Sequence, residues 1–211
     1  MDAFQTEEMK ALRRKARDYF GRGRAFTSGD LTSLADGVWR DLVGTPDASI
    51  GSVSNGRAGL SVRTLIIDEA STYSPRLGLD LMKRWLSGEA ESPPEERLFR
   101  LARIVGTAAY VFESGARAAR DKALFASSLM GCRELQEGLA GLASGVEILR
   151  LGACRLCHLL ARGERDRGEA ESVPLYEKAL ALGREARSVA LGLLGEAWTR
   201  DNLPGDEFSS E

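Results

Sequence analysis

One histidine, six prolines and three cysteines are all that 211 residues hold of three scarce types, and each scarcity excludes something. With His158 the only imidazole, any Ser-His-Asp or Cys-His nucleophile would have a single available base, set in a Leu-rich helical stretch. So few prolines leave room for long helices. No apolar run nears the roughly 20 residues needed to span a bilayer. The opening "MDAFQTEEMK" lacks the apolar centre of an export signal, so the expected setting is cytosolic, with reduced cysteines. Lysine is scarce too: Lys10, Lys15, Lys83, Lys122 and Lys178 are the full set, and none follows a glycine.

That last absence decides the reading of "VRTLIIDEAS", Val62 to Ser71. An apolar run ending in Asp-Glu is how many nucleotide hydrolases hold magnesium, but they also need a Gly-x-x-x-x-Gly-Lys-Ser/Thr phosphate loop. The glycine-dense stretch Gly51 to Gly59 has neither the lysine nor a Gly-x-Gly-x-x-Gly spacing. Period 3.6 instead puts Val62, Leu65, Ile66, Ala70 and Tyr73 on one side of a helix and turns Asp68 outward. Paired carboxylates such as Glu7-Glu8 and Glu95-Glu96 fall at helix starts, where they favour the dipole. No catalytic residue and no cofactor is predicted; the chain reads as a non-enzyme.

What is present is helical. Strand alternation is nearly absent, and the expected fold is all-α, two packed helical subdomains over 1–90 and 91–211 joined near the acidic, proline-bearing stretch 87–96. The first helix spans about 2–20, with Phe4, Met9, Leu12, Ala16 and Phe20 on one face. Asp30 caps a second carrying Leu31, Leu34, Val38 and Leu42, and 44–59 is loop by composition. The Val62 helix ends at Ser74-Pro75, a short one follows to Leu86, and Pro94 with Glu95 and Glu96 opens the next. Further helices are expected at about 95–114, 116–130, 132–162 and 173–199. Between the last two, 162–172 reads as a solvated hinge, and a flexible tail starts at about 202.

A net charge of −2 conceals an asymmetry. Lys10, Arg13, Arg14, Lys15, Arg17, Arg22 and Arg24 face one acid, Asp18, with Tyr19, Phe20 and Phe26 interleaved. Such a segment suits nucleic-acid phosphates or anionic lipid headgroups, or it is a solvated helix face without a partner. Lys83, Arg84, Arg97, Arg100 and Arg103 are candidate helpers.

Cys154, Cys157 and His158 spell Cys-x-x-Cys-His, the pattern of covalent haem attachment. Helical periodicity through Val146, Leu149, Ala153, Leu156 and Leu160 instead assigns Cys157 to the core. Cys154 and His158 could share one face toward zinc, with Cys132 the only other sulfur, but Cys157 and His158 are adjacent and point apart. Buried thiols without a required metal are expected.

Three stretches resemble the middle of an orthomyxovirus matrix protein, the influenza matrix family and its fish-virus relatives. "RLFRLAR" (Arg97 to Arg103) is similar to that family's basic helix. "FESGARAARDKALFASSLMGC" (Phe112 to Cys132) is similar to its Phe-x-Gly-Ala-Lys helix with a downstream cysteine. "GACRLCHLLARG" (Gly152 to Gly163) is similar to its Cys-x-x-Cys helix. Leu98, Phe99 and Leu101 dilute the basic helix, and the family's histidines downstream of Cys-x-x-Cys have no counterpart but His158. The resemblance implies two helical subdomains and a self-assembling layer beneath a viral envelope, binding anionic phospholipid on one side and viral ribonucleoprotein or RNA on the other. It would place the chain in the virion and, in the host, in the cytoplasm, at the inner membrane face and in the nucleus. A basic end and acidic stretches (89–96, 164–171) would stack head-to-tail. Two other classes stand beside it: a small helical RNA-binding protein using Lys10–Arg24, and a helical adaptor with no polyanion partner.

Overall fold

The structure is a computed structural model that describes residues 7–21, 38, 57–86, 92–121, 123–124, 127–128 and 131–203. The fold is all-α. Helix α1 is Glu7–Gly21, α2 Arg57–Tyr73, α3 Pro75–Leu86, α4 Pro93–Asp121, α5 Arg133–Ala161, α6 Arg165–Leu193 and α7 Glu196–Asn202. One antiparallel two-residue ladder pairs β1, Ala123–Leu124, with β2, Ser127–Ser128. It replaces part of the helix expected over 116–130.

Boundaries follow local chemistry. Ser74-Pro75 separates α2 from α3, because proline disfavours helical backbone in the residue before it. At the start of α4 the Ser92 backbone N–H donates to the Glu95 carboxylate at 3.0 Å, and the Ser92 carbonyl accepts the Glu95 and Glu96 backbone N–H groups. After α5 the chain reverses through Gly163 at φ 77°. Glu164 N–H donates to the Leu159 carbonyl and Gly163 N–H to that of Leu160, satisfying the last carbonyls of the helix.

Two helices are central. In α2 every residue from Thr64 to Ser71 is buried, and in α4 every residue from Leu101 to Ala109. Around α4 the main core gathers Leu98, Ile104 and Val111 with Leu142, Leu149 and Leu156 of α5 and Leu182 and Ala186 of α6. A second cluster joins Ala16 and Phe20 of α1 to Ile66 and Ala70 of α2 and Leu77 and Leu81 of α3. Val38 also belongs to it. Ile67, Met82, Phe99 and Ala102 form a third cluster that packs α2 and α3 against α4. Helices on either side of 87–96 therefore touch directly. At the α2–α4 crossing a Cβ on Gly106 would overlap the Asp68 carbonyl oxygen and lie 2.6 Å from Ser71 Cβ, so only glycine allows this approach.

Several expectations change. Asp68 does not face outward; it is 4% exposed, while Tyr73, assigned inward, is 39% exposed. Helix α4 runs on through Gly115, which packs against Leu139 and Leu193, so no break falls near residue 115. The stretch 162–172 is no hinge. Beyond its three-residue turn it is the first part of α6, with Gly168 and Ser172 buried. Pro174 lies inside that helix on an exposed side, where water can serve the Ala170 carbonyl that proline cannot bond. The expected loop 44–59 gives way to helix at Arg57, and Leu203, at the start of the expected tail, is buried. Residues 2–6, the cap at Asp30 with Leu31, Leu34 and Leu42, the rest of that loop, and 204–211 lie outside the described residues.

Candidate functional site

Asp68 and Glu69, which open the question of magnesium in the sequence, hold arginines instead. Arg150 of α5 grips Asp68 with two bonds, Nε to Oδ2 at 2.9 Å and Nη2 to Oδ1 at 3.0 Å. Arg13 of α1 adds a third, Nη2 to Oδ2 at 3.0 Å, and pairs with Glu69 through Nε at 2.8 Å. Arg17 donates from Nε to Glu69 at 2.9 Å. Two carboxylates thus meet three guanidinia from two other helices. Burial and the Asp68 charge hold Glu69 above the ordinary carboxylate range, against the lowering pull of Arg17 and Arg13. Burial alone would depress Arg150, but the Asp68 charge and hydrogen bonds, with Glu69 and Glu147, carry it upward. Periodicity misses this cluster because partners 55 and 82 residues away leave no local trace.

The basic segment is correspondingly divided. Arg13 is half-buried in the cluster, and Arg17 is exposed with its Nε committed to Glu69. Lys10, Arg14 and Lys15 are exposed on α1, opposite the buried Ala16 and Phe20. Arg22 and Arg24 lie outside the described residues. Lys83 and Arg84 are exposed on α3.

The basic stretch of α4 does not form an outward surface. Arg97 pairs with Glu169 at 2.5 Å and donates to Ser172, and Arg100 pairs with Glu96 at 2.8 Å. Arg103 is fully buried. Burial pushes its guanidinium down to about 10, opposed by Tyr176 and reinforced by Arg100. Arg103 belongs to the interior, not to a membrane face. The acids are likewise spoken for: Glu164 holds Arg162 and Arg167, and Glu171 holds Arg155.

The cysteine motif lies on continuous α5. Cys157 is buried against Thr64, whose Oγ1 is 3.7 Å from its sulfur, and burial pushes the thiol up to about 12. It is a protonated thiol at neutral pH, a poor ligand. Cys154 is half-buried and raised by burial; His158 is exposed. Cys132 sits at the N-cap, about 33 Å from Cys154 at roughly 1.5 Å per helical residue. Among the described residues no three metal-ligating side chains come together, and no described helix is long and apolar enough to cross a membrane.

Two features carry no sequence signal as strong as those motifs. Ile148 and Leu151 of α5 stand 63% and 51% exposed. One turn on, an open pocket of about 250 Å³ is lined by Arg155, His158, Leu159, Arg162, Glu164 and Arg167. Helical spacing could have grouped Leu151, Arg155, His158 and Arg162 on one face. The chain matches no family model, no curated protein and no solved structure.

Proposed function

We propose that this chain is a non-enzymatic, matrix-type assembly protein that attaches peripherally to anionic membrane and to copies of itself. The observation that carries the reading is the division of α1: one side is buried through Ala16 and Phe20, while the other presents Lys10, Arg14 and Lys15 to solvent. Lys83 and Arg84 of α3 add exposed positive charge. The three sequence stretches similar to matrix proteins support the same reading.

Each exposed cation close to an anionic leaflet contributes about 1 kcal/mol, so the α1 set gives useful, salt-sensitive binding. The test is flotation with phosphatidylserine vesicles against phosphatidylcholine vesicles. Wild type should float with the former only, and less as salt shortens the Debye length from about 10 Å at 0.1 M to about 3 Å at 1 M. The triple variant Lys10→Glu, Arg14→Glu, Lys15→Glu should stay at the bottom with its helical content unchanged. Arg13 and Arg17 are left intact, because their loss would disturb folding as well as binding. A triple variant that floats like wild type overturns the assignment. A wild type that ignores vesicles but assembles on RNA transfers the function to an RNA-binding protein.

A further inference from the structure

The carboxyl-terminal end of α5 carries a second arrangement, unrelated to the α1 cations. Arg155, His158 and Arg162 follow one another on one face of the helix, and the tight turn at Gly163 brings Arg167 of α6 back beside them. Gly168 packs against the Leu160 side chain at that return. The result is the pocket of about 250 Å³, floored by Leu159.

Its guanidinia are held in place without being used up. Arg155 is gripped by Glu171 through Nε and Nη2, both at 2.8 Å. Glu164 holds Arg162 through Nε at 3.2 Å and Arg167 through Nη1 at 2.7 Å. These ion pairs take two donors of Arg155 and one each of Arg162 and Arg167, out of the five N–H groups every guanidinium carries. Planar forks with donors to spare are the usual recognition element for phosphate oxygens. At about 30 Å³ per water, the volume equals some eight waters, enough for a phosphate and part of the group that bears it.

One turn toward the amino end, about 6 Å along the axis, the same face changes from cationic to apolar at Leu151 and then Ile148. Cations beside exposed branched side chains are the pattern of a surface that lies in the membrane interface, charge at the headgroups and apolar groups below them.

We propose that this face of α5 is a lipid-binding site, in which Arg155, Arg162 and Arg167 with His158 take a phosphomonoester headgroup while Leu151 and Ile148 enter the interface. It shares the membrane of the function proposed above but none of its residues, so either can fail alone.

The test uses the full chain and phosphatidylcholine vesicles doped with phosphatidic acid or, at matched surface charge, phosphatidylserine. Wild type should prefer phosphatidic acid. Arg162→Glu with Arg167→Glu should abolish that preference and weaken phosphatidic acid binding on the order of tenfold, while the Lys10, Arg14, Lys15 triple variant keeps the preference. Leu151→Asn should reduce vesicle binding yet leave inorganic phosphate binding intact. The last is read from the ring-proton resonances of His158, the chain's single histidine. Equal binding to both lipids, or a His158 signal that phosphate does not move, overturns the site. A signal moved by phosphate or RNA in a chain whose phosphatidic acid binding ignores the Leu151 and Arg162/Arg167 variants overturns the lipid assignment. Loss of phosphatidylserine flotation alone refutes the α1 reading and leaves this one standing.

Discussion

Replacing Asp68 with Asn removes one charge from a buried cluster and should cost a substantial part of the fold's stability. Asp68 accepts three guanidinium bonds, at 2.9, 3.0 and 3.0 Å. Its side chain is 6% exposed and that of Arg150 10%. Removing one partner of a buried ion pair leaves the other charge desolvated and typically costs about 3–5 kcal/mol. Glu69 remains for Arg13, and Glu147 lies 3.3 Å from Arg150, so the lower part of that range applies, about 3 kcal/mol. With a urea m-value of about 2 kcal/mol/M, the midpoint should fall by roughly 1.5 M. Urea unfolding followed by circular dichroism at pH 7 measures it. The double change Asp68→Leu, Arg150→Met should recover part of the loss, since no charge is then stranded between α2 and α5. A single variant whose midpoint moves by less than about 0.3 M would show the cluster to be energetically idle and refute the reasoning.

Two further outcomes are expected. Gly106→Ala drives a methyl into the Asp68 carbonyl, a backbone atom that cannot step aside, and should cost about 1–3 kcal/mol by the same urea measurement; a neutral result would mean that α2 and α4 do not cross there. Glu69 gives a pH signature of defined sign. Its folded pKa stands above the ordinary 4.5, so the folded state binds the proton more tightly than the unfolded chain. Stability from this group is then highest below 4.5 and is lost as pH rises through the folded value. Glu69→Gln should remove that component from a pH series of unfolding midpoints begun just above 4.5, and an unchanged profile would contradict it.

Local chemistry was readable where a few neighbouring residues decide the outcome. The Ser74-Pro75 break, the helix start at Pro94 with Glu95 and Glu96, and the buried line of Val146, Leu149, Ala153, Leu156 and Cys157 all belong to this class. What periodicity could not reach depends on distant partners. An acid in an apolar run reads as outward until an arginine 82 positions later is known to meet it. The arginines of 97–103 read as a basic surface, yet Glu169 and Ser172 lie across from Arg97, and Arg103 is enclosed. The charged run 162–172 looks solvated because its pairing of Glu171 with Arg155, 16 positions back across the turn, leaves no local trace. Among the candidate site residues, Lys10, Arg14, Lys15, Lys83 and Arg84 are exposed, as is Arg17 despite its bond to Glu69, whereas Arg13, Arg97 and Arg100 are half-buried in ion pairs and Arg103 is enclosed.

The reach between Asp68 and Arg150 also sets an order of events during synthesis. A ribosome adds about 5–20 residues per second, so Asp68 emerges roughly 4–16 s before the guanidinium that will cover it, 82 positions on. Through that interval α4, Pro93–Asp121, emerges to pack on α2, but α5 is unfinished and Asp68 lacks the two bonds that Arg150 will make. A charge cluster begun by residues of the first half of the chain is thus completed by a residue of the second.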